Sequence, residues 1–96
     1  MEKVIGLDLG TKTLGIAKSD ALGFVHGVET FRFPHKQFII ARQHVIELTK
    51  QLDIKEIALG YPLHLSGEQS EMSEMVLRFR DDLLEMDNTL NIHLVD

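Results

Sequence analysis

A carboxylate in the first apolar segment of the chain is the residue best suited to chemistry. Asp8 lies between Leu7 and Leu9, in a run that alternates with the period of a β-strand. A charge in such a setting costs several kcal/mol unless it is compensated, so we expect a cation or a hydrogen-bond donor beside it. Glycine and alanine residues around Asp8 leave room for a metal ion or a phosphate. The alternative is that Asp8 caps the next turn through the amide of Gly10 or Thr11.

Two further groups of residues are candidates for binding a substrate. Thr11 and Lys12 follow Asp8 in a short turn, where a hydroxyl and a cation could contact a backbone phosphate. The other interpretation of these two residues is a solvated hairpin tip. Gly60, Pro62 and Gly67 shape a loop after the fourth predicted strand, at the sheet edge where open α/β sheets bind ligands.

Apolar periodicity predicts five strands and two helices. The predicted elements are strands over 3–9, 14–18 and 24–33, a helix from Pro34 to Leu52, a strand over 56–60, a helix from a Ser66/Gln69 capping box to about Met86, and a strand over 91–95. This order indicates an α/β fold: a mixed five-stranded sheet with an antiparallel N-terminal hairpin and flanking helices, as in ribonuclease H-like and actin-like folds. We expect the fourth strand to be central and the methionines at 72, 75 and 86 to fill the core.

Composition limits the classes of function. Ninety-six residues suffice for one domain with a thin core. The net charge of −5 argues against a general phosphate-binding surface. The absence of cysteine excludes disulfides and zinc–thiolate sites, and the five histidines show no metal-site spacing. No apolar run reaches the roughly 20 residues that span a bilayer, so we expect a cytoplasmic protein without a membrane partner.

Two segments of the chain resemble motifs of one family. Ile5–Asp20 (IGLDLGTKTLGIAKSD) resembles the opening motif of the YqgF family, and Leu59–Ser70 (LGYPLHLSGEQS) resembles its Gly-x-Pro loop, with a following glycine and helix start. The resemblance covers the whole chain. It implies a ribonuclease H-like, RuvX-type nuclease, similar to Holliday junction resolvases and associated with maturation of the small-subunit ribosomal RNA precursor.

The same resemblance implies a role for Asp8 and for residues that this chain lacks. Asp8 matches the first catalytic and metal-binding carboxylate, which implies a ribosomal RNA precursor or branched DNA as substrate. It also implies Mg²⁺ or Mn²⁺ as cofactor of the intact enzyme, and we expect residues 1–96 alone to bind neither ion. The family's remaining carboxylates are expected after Val95-Asp96. We therefore expect residues 1–96 to be a single, C-terminally truncated ribonuclease H-like domain that is inactive alone. Its uncovered apolar surface is expected to favour a homodimer.

Two other functions stay open at this point. The run from Asp8 to Thr11, followed by a second strand, also resembles the phosphate-binding hairpin of sugar kinases and chaperone ATPases, which predicts an actin-like nucleotide-binding domain. Those proteins enclose ATP between two lobes, and this length supplies one. The third interpretation is a nucleic-acid-binding module that has the fold and no catalysis.

Overall fold

The protein forms the predicted succession of five strands and two helices. The computed structural model describes residues 3–20, 22, 25–62 and 67–95, with side chains in the second helix from residue 71 onward. The elements are β1 (Val4–Leu9), β2 (Thr13–Ser19), β3 (Val25–Arg32), α1 (Phe38–Leu52), β4 (Glu56–Gly60), α2 (Gly67–Met86) and β5 (Asn91–Val95). The predicted capping box at Ser66 and the predicted first residue of β3, Phe24, lie outside the described residues.

One mixed sheet contains all five strands, in the order β3-β2-β1-β4-β5. β1 pairs with β2 and β2 with β3 in antiparallel fashion, whereas β1, β4 and β5 run parallel. The N-terminal hairpin is therefore confirmed. β4 is an interior strand that the chain reaches by a crossover through α1, but the middle of the sheet is β1, which pairs with β2 on one side and with β4 on the other.

The first helix begins four residues later than predicted. Pro34 lies in a turn closed by a hydrogen bond from the Gln37 amide to the Pro34 carbonyl, at 2.9 Å. Lys36 has a left-handed φ of 59°, and its amide donates to the Thr11 carbonyl at 2.7 Å. This tertiary bond holds the segment against the β1–β2 turn, so α1 starts only at Phe38.

The core lies between the two helices and one face of the sheet. In β1 the residues at 5, 7 and 9 are buried, while those at 4, 6 and 8 are half-buried or exposed. The principal core residues are Ile5, Leu7, Leu14, Ile16, Ile57 and Leu59 from the sheet, Ala41, Val45 and Leu48 from α1, and Val76, Phe79 and Leu83 from α2. The opposite face of the sheet is more open, and five of its positions on β1, β2 and β4 are glycine or alanine: Gly6, Gly15, Ala17, Ala58 and Gly60.

The prediction that methionines fill the core is wrong. The buried stripe of α2 runs through Ser73, Val76, Phe79 and Leu83. Met72 and Met75 each precede a residue of this stripe and are half-buried, and Met86 at the helix end is 41% exposed.

Neither described helix is both long and apolar enough to cross a bilayer.

Candidate active site

Asp8 lies near the carboxyl end of β1, on the sheet face opposite the helices. Its side chain is exposed. The prediction that Asp8 lies in an apolar environment is therefore wrong, and so is the prediction that its charge requires a cation or a hydrogen-bond donor from the protein. No described residue donates a hydrogen bond to its carboxylate. The Gly10 amide, one of the two predicted capping donors, instead bonds to the Thr13 carbonyl at 2.8 Å and closes the hairpin. Asp8 is thus a charge without a structural partner in the part of the chain that the structure describes.

Glycines on both neighbouring strands keep the space beside Asp8 open. Gly15 is the direct partner of Asp8 across the β1–β2 pair, and a Cβ atom at Gly15 would lie 3.4 Å from the Asp8 Cβ. A Cβ atom at Gly60 would lie 3.9 Å from Asp8 Oδ1. Any longer side chain at either position would occupy the volume next to the carboxylate. The glycines therefore allow a ligand, rather than protein, to approach it.

Two concave surfaces meet at Asp8. The first, which we call the Asp8 cleft, has a volume of about 320 Å³ and is lined by Asp8, Leu9, Gly60, Tyr61, Pro62, Met72 and Val76. The second, the open-face groove, has a volume of about 400 Å³ and is lined by Gly6, Leu7, Asp8, Gly15, Ile16, Ala17, Val28, Ala58, Gly60 and Val95. Both include Asp8 and Gly60, so a ligand bound at the carboxylate could extend into either.

The structure brings together some of the predicted site residues and separates others. Gly60 and Pro62 line the Asp8 cleft. Thr11 and Lys12 line neither surface, and their carbonyls accept hydrogen bonds from the Lys36 and Phe33 amides, so their backbone has a structural function. The Lys12 side chain is exposed at this turn. Gly67 is the first residue of α2.

Four residues of the Asp8 cleft were not predicted as site residues from the sequence: Leu9, Tyr61, Met72 and Val76. Tyr61 is the variable position of the Gly-x-Pro loop, and its side chain is half-buried against the core. The Tyr61 amide donates to the Val95 carbonyl at 2.6 Å, and Ser73 Oγ donates to the Pro62 carbonyl at 2.8 Å. These two bonds tie the loop to β5 and to α2.

A metal centre requires more ligands than the described residues supply. The carboxylate oxygens of Asp8 are of the kind that Mg²⁺ and Mn²⁺ bind. Within residues 3–20, 22, 25–62 and 67–95, however, no three His, Cys, Asp or Glu side chains are grouped to hold a metal ion. Asp8 can therefore contribute one ligand, and no complete site is formed by the described residues.

The fold and the motifs match those of one family. The family model of RuvX, described as a Holliday junction resolvase, matches residues 2–96. The chain belongs to the RuvX family. The resemblance of the two sequence motifs to this family, which is the YqgF family, is thereby confirmed.

Relatives in the RuvX family carry a name that refers to ribosomal RNA. A Bacillus cytotoxicus protein named "Putative pre-16S rRNA nuclease" is 34% identical over 85 residues, which are 88% of this chain and 62% of that protein. A Bacillus thuringiensis protein of the same name is 33% identical with the same coverage. The chain thus spans 62% of the length of these relatives.

Solved structures confirm the ribonuclease H-like α/β fold. Thermus thermophilus RuvC, in complex with a Holliday junction substrate, matches 99% of this chain and 64% of its own with a TM-score of 0.75 at 13% identity. A Bacteroides thetaiotaomicron protein with an actin-like ATPase fold matches 98% of this chain and 32% of its own with a TM-score of 0.56 at 14% identity. At these identities the likenesses establish architecture only.

Proposed function

We propose that this chain carries part of the catalytic centre of a metal-dependent nuclease, with Asp8 as a catalytic and metal-binding carboxylate. The observation that carries the proposal is an exposed carboxylate near the end of the middle strand, without a described partner and with glycines on both neighbouring strands. An acid at this position that has no partner among the described residues is suited to bind a ligand, because none of those residues depends on it.

The chemistry is hydrolysis of a phosphodiester bond. A divalent cation, when bound, neutralises charge on the phosphate and activates water. Asp8 supplies one oxygen ligand for such a cation, and Gly15 and Gly60 admit the phosphate beside it. Because the described residues do not complete the ligand set, further carboxylates must come from elsewhere in the functional protein.

The residues around the Asp8 cleft have roles in positioning the substrate. The exposed ammonium of Lys12, with the Thr11 hydroxyl in the same turn, is placed to contact a phosphate next to the one that is cleaved. Gly60 and Pro62 form the wall of the cleft, and Gly67 begins the helix that follows the loop. The net charge of −5 requires nucleic acid to be held at such local contacts and through the cation rather than by a general basic surface.

The substrate that we propose is the ribosomal RNA precursor, with branched DNA as the alternative. The names of the RuvX relatives support the first, and the Holliday junction bound to RuvC supports the second. A cytoplasmic location is part of the proposal, because bacterial ribosomal RNA is processed there. A homodimer remains part of it as well, on the grounds of the open sheet face.

The test uses the protein produced from its complete gene. We expect cleavage of precursor RNA or of a four-way junction that depends on Mg²⁺ or Mn²⁺, and we expect Asp8→Asn to reduce it to background. Asp81→Asn is the matched control, since Asp81 is an exposed α2 acid paired with Arg80 and lies outside both concave surfaces. Cleavage that survives Asp8→Asn would remove Asp8 from the mechanism.

The 96-residue chain by itself is expected to be inactive towards both substrates. The reason is the single carboxylate that its described residues place at the site. Metal-dependent cleavage by this chain that Asp8→Asn abolishes would refute the argument from an incomplete ligand set.

The likeness to an actin-like ATPase fold makes nucleotide binding the second candidate function. Nuclear magnetic resonance on the intact protein separates the two functions. For the nuclease, Mn²⁺ without nucleotide broadens the signals of Asp8, Leu9 and Gly10, and Asp8→Asn removes the broadening. For an ATPase, magnesium with ATP shifts the resonances of the turn over residues 10–13, and Mn²⁺ alone has little effect on them.

A further inference from the structure

The Asp8 cleft is lined mainly by apolar groups, although it adjoins a carboxylate. Its described walls are the ring of Tyr61, the side chains of Leu9, Pro62, Met72 and Val76, and Gly60. None of these side chains carries a cation that would bind a bare phosphate or a triphosphate. Such walls favour a flat apolar group, and the one apolar part of a nucleic acid that can extend from the phosphate is the base.

The aromatic ring of the cleft is held in place before any ligand binds. Tyr61 is half-buried against the core, and its amide is fixed to the Val95 carbonyl at 2.6 Å. The next residue, Pro62, is anchored through its carbonyl to Ser73 Oγ at 2.8 Å. A ring that is already ordered loses little conformational freedom on binding, which favours stacking.

We propose that the Asp8 cleft is a subsite for one unpaired nucleobase, which stacks on Tyr61 beside Met72 while the adjoining phosphate lies at Asp8. This inference rests on the proposed nuclease function. A base inside a duplex is already stacked on both sides and cannot enter, so the substrate must be single-stranded or unpaired at this nucleotide. Stacking of this kind tolerates every base, and the polarisable thioether of Met72 suits the edge of a ring.

Tyr61 itself supplies the probe for binding. The chain contains one tyrosine and no tryptophan, so its intrinsic fluorescence comes from Tyr61 alone. In millimolar Mg²⁺, a short single-stranded oligonucleotide should quench this fluorescence to saturation, after correction for absorbance with free tyrosine. An abasic oligonucleotide of the same length, with the same number of phosphates, should not. Equal quenching by the two would overturn the proposal, because the backbone and not the base would then occupy the cleft.

Substitutions test the ring directly through the anisotropy of a labelled oligonucleotide. Tyr61→Leu should weaken single-strand binding by about 5- to 150-fold, the typical effect of losing one stacked base, and Tyr61→Phe should retain it. Met86→Leu, an exposed position at the other end of α2, is the control and should change nothing. Circular dichroism checks that each variant is folded. Equal affinity of the Leu and Phe variants would contradict stacking.

The failure of this inference can be distinguished from failure of the nuclease proposal. If the complete gene product cleaves nucleic acid, and Tyr61→Leu leaves the KM for single-stranded and duplex substrates unchanged, the base subsite is wrong and the nuclease stands. If base-dependent quenching is present but no cleavage depends on Asp8, the subsite stands and the nuclease is wrong. If ATP quenched the Tyr61 fluorescence at lower concentrations than the oligonucleotide does, the cleft would be a nucleotide-binding site and the proposed base subsite would be wrong.

Discussion

Replacement of Asp8 by asparagine should leave the stability of the protein unchanged. The carboxylate is exposed and accepts no hydrogen bond from a described residue. Exposed substitutions of this kind change the free energy of unfolding by less than about 0.5 kcal/mol. If Asp8 were instead a structural cap, loss of hydrogen bonds to its charge would cost about 1.5–3 kcal/mol. The two roles of Asp8 therefore differ by an amount that equilibrium unfolding resolves.

The assay is urea unfolding of the 96-residue chain, followed by far-ultraviolet circular dichroism and by Tyr61 fluorescence. Asp87→Asn is the positive control, because the Asp87 carboxylate accepts hydrogen bonds from the Thr89 amide at 3.0 Å, from Thr89 Oγ1 at 2.6 Å and from Lys55 Nζ at 3.1 Å. This control should be less stable than the wild type, with the same dependence on urea. A loss above about 1.5 kcal/mol in Asp8→Asn would make Asp8 a structural residue and refute the reasoning.

Manganese adds a second arm, which uses the protein produced from its complete gene, because the described residues of the 96-residue chain place a single carboxylate at the site. A cation that binds only the folded state, at about ten times its dissociation constant, raises the free energy of unfolding by about 1.4 kcal/mol. The wild type should gain this stability and Asp8→Asn should not. An equal gain in both proteins would place the cation at another site.

The remaining predictions concern acid stability, the core and association. The pKa of Asp87 is lowered from 3.8 to about 2 by the hydrogen bonds from the Thr89 hydroxyl and amide and by Lys55. A carboxylate with a lowered pKa adds to the free energy of unfolding above pH 4, and this contribution is lost as the pH falls towards 2. In Asp87→Asn the free energy of unfolding should therefore depend less on pH between 4 and 2 than in the wild type. Phe79 is 1% exposed and meets Phe38 edge to face at 6.4 Å, so Phe79→Ala should lower the unfolding free energy in urea by about 3–5 kcal/mol. Val28 and Val95 at the open-face groove are 75% and 44% exposed, so light scattering should detect dimers at high concentration; a monomer that binds no hydrophobic dye would contradict this.

The sequence predicted the ends of those elements whose boundaries depend on contacts between neighbouring residues. β4 and β5 have the predicted bounds, and α2 ends at Met86 as predicted. The residues after α2 form a turn in which Thr89 bonds to Asp87 within the same few residues. The start of α1 was missed because it depends on a bond between the Lys36 amide and the Thr11 carbonyl, which are far apart in the sequence.

The sequence placed Asp8 in the right element but in the wrong environment. Alternation along β1 separates two faces, yet it does not tell which face the helices cover. Leu7 and Leu9 lie on the covered face, so Asp8 lies on the exposed one.

Tyr61 was not predicted as a site residue, because its role depends on tertiary contacts. Its neighbours in the Asp8 cleft, Met72 and Val76, come from α2, and only the folded chain brings them beside the loop.

Asp8 and Tyr61 line one cleft, and this proximity has a consequence for how ligands bind. A phosphate held through a cation at Asp8 and a base held on Tyr61 must belong to the same or adjacent nucleotides, because the cleft measures only about 320 Å³. Binding of the cation should therefore restrict the phosphate and increase the affinity for the base, and by linkage the oligonucleotide should increase the affinity for the cation equally. We expect Mn²⁺ to strengthen quenching of Tyr61 by a single-stranded oligonucleotide in the wild type but not in Asp8→Asn. Quenching of equal strength with and without Mn²⁺ in the wild type would show that the two subsites act independently, and the base would then lie too far from Asp8 to position the phosphate for cleavage.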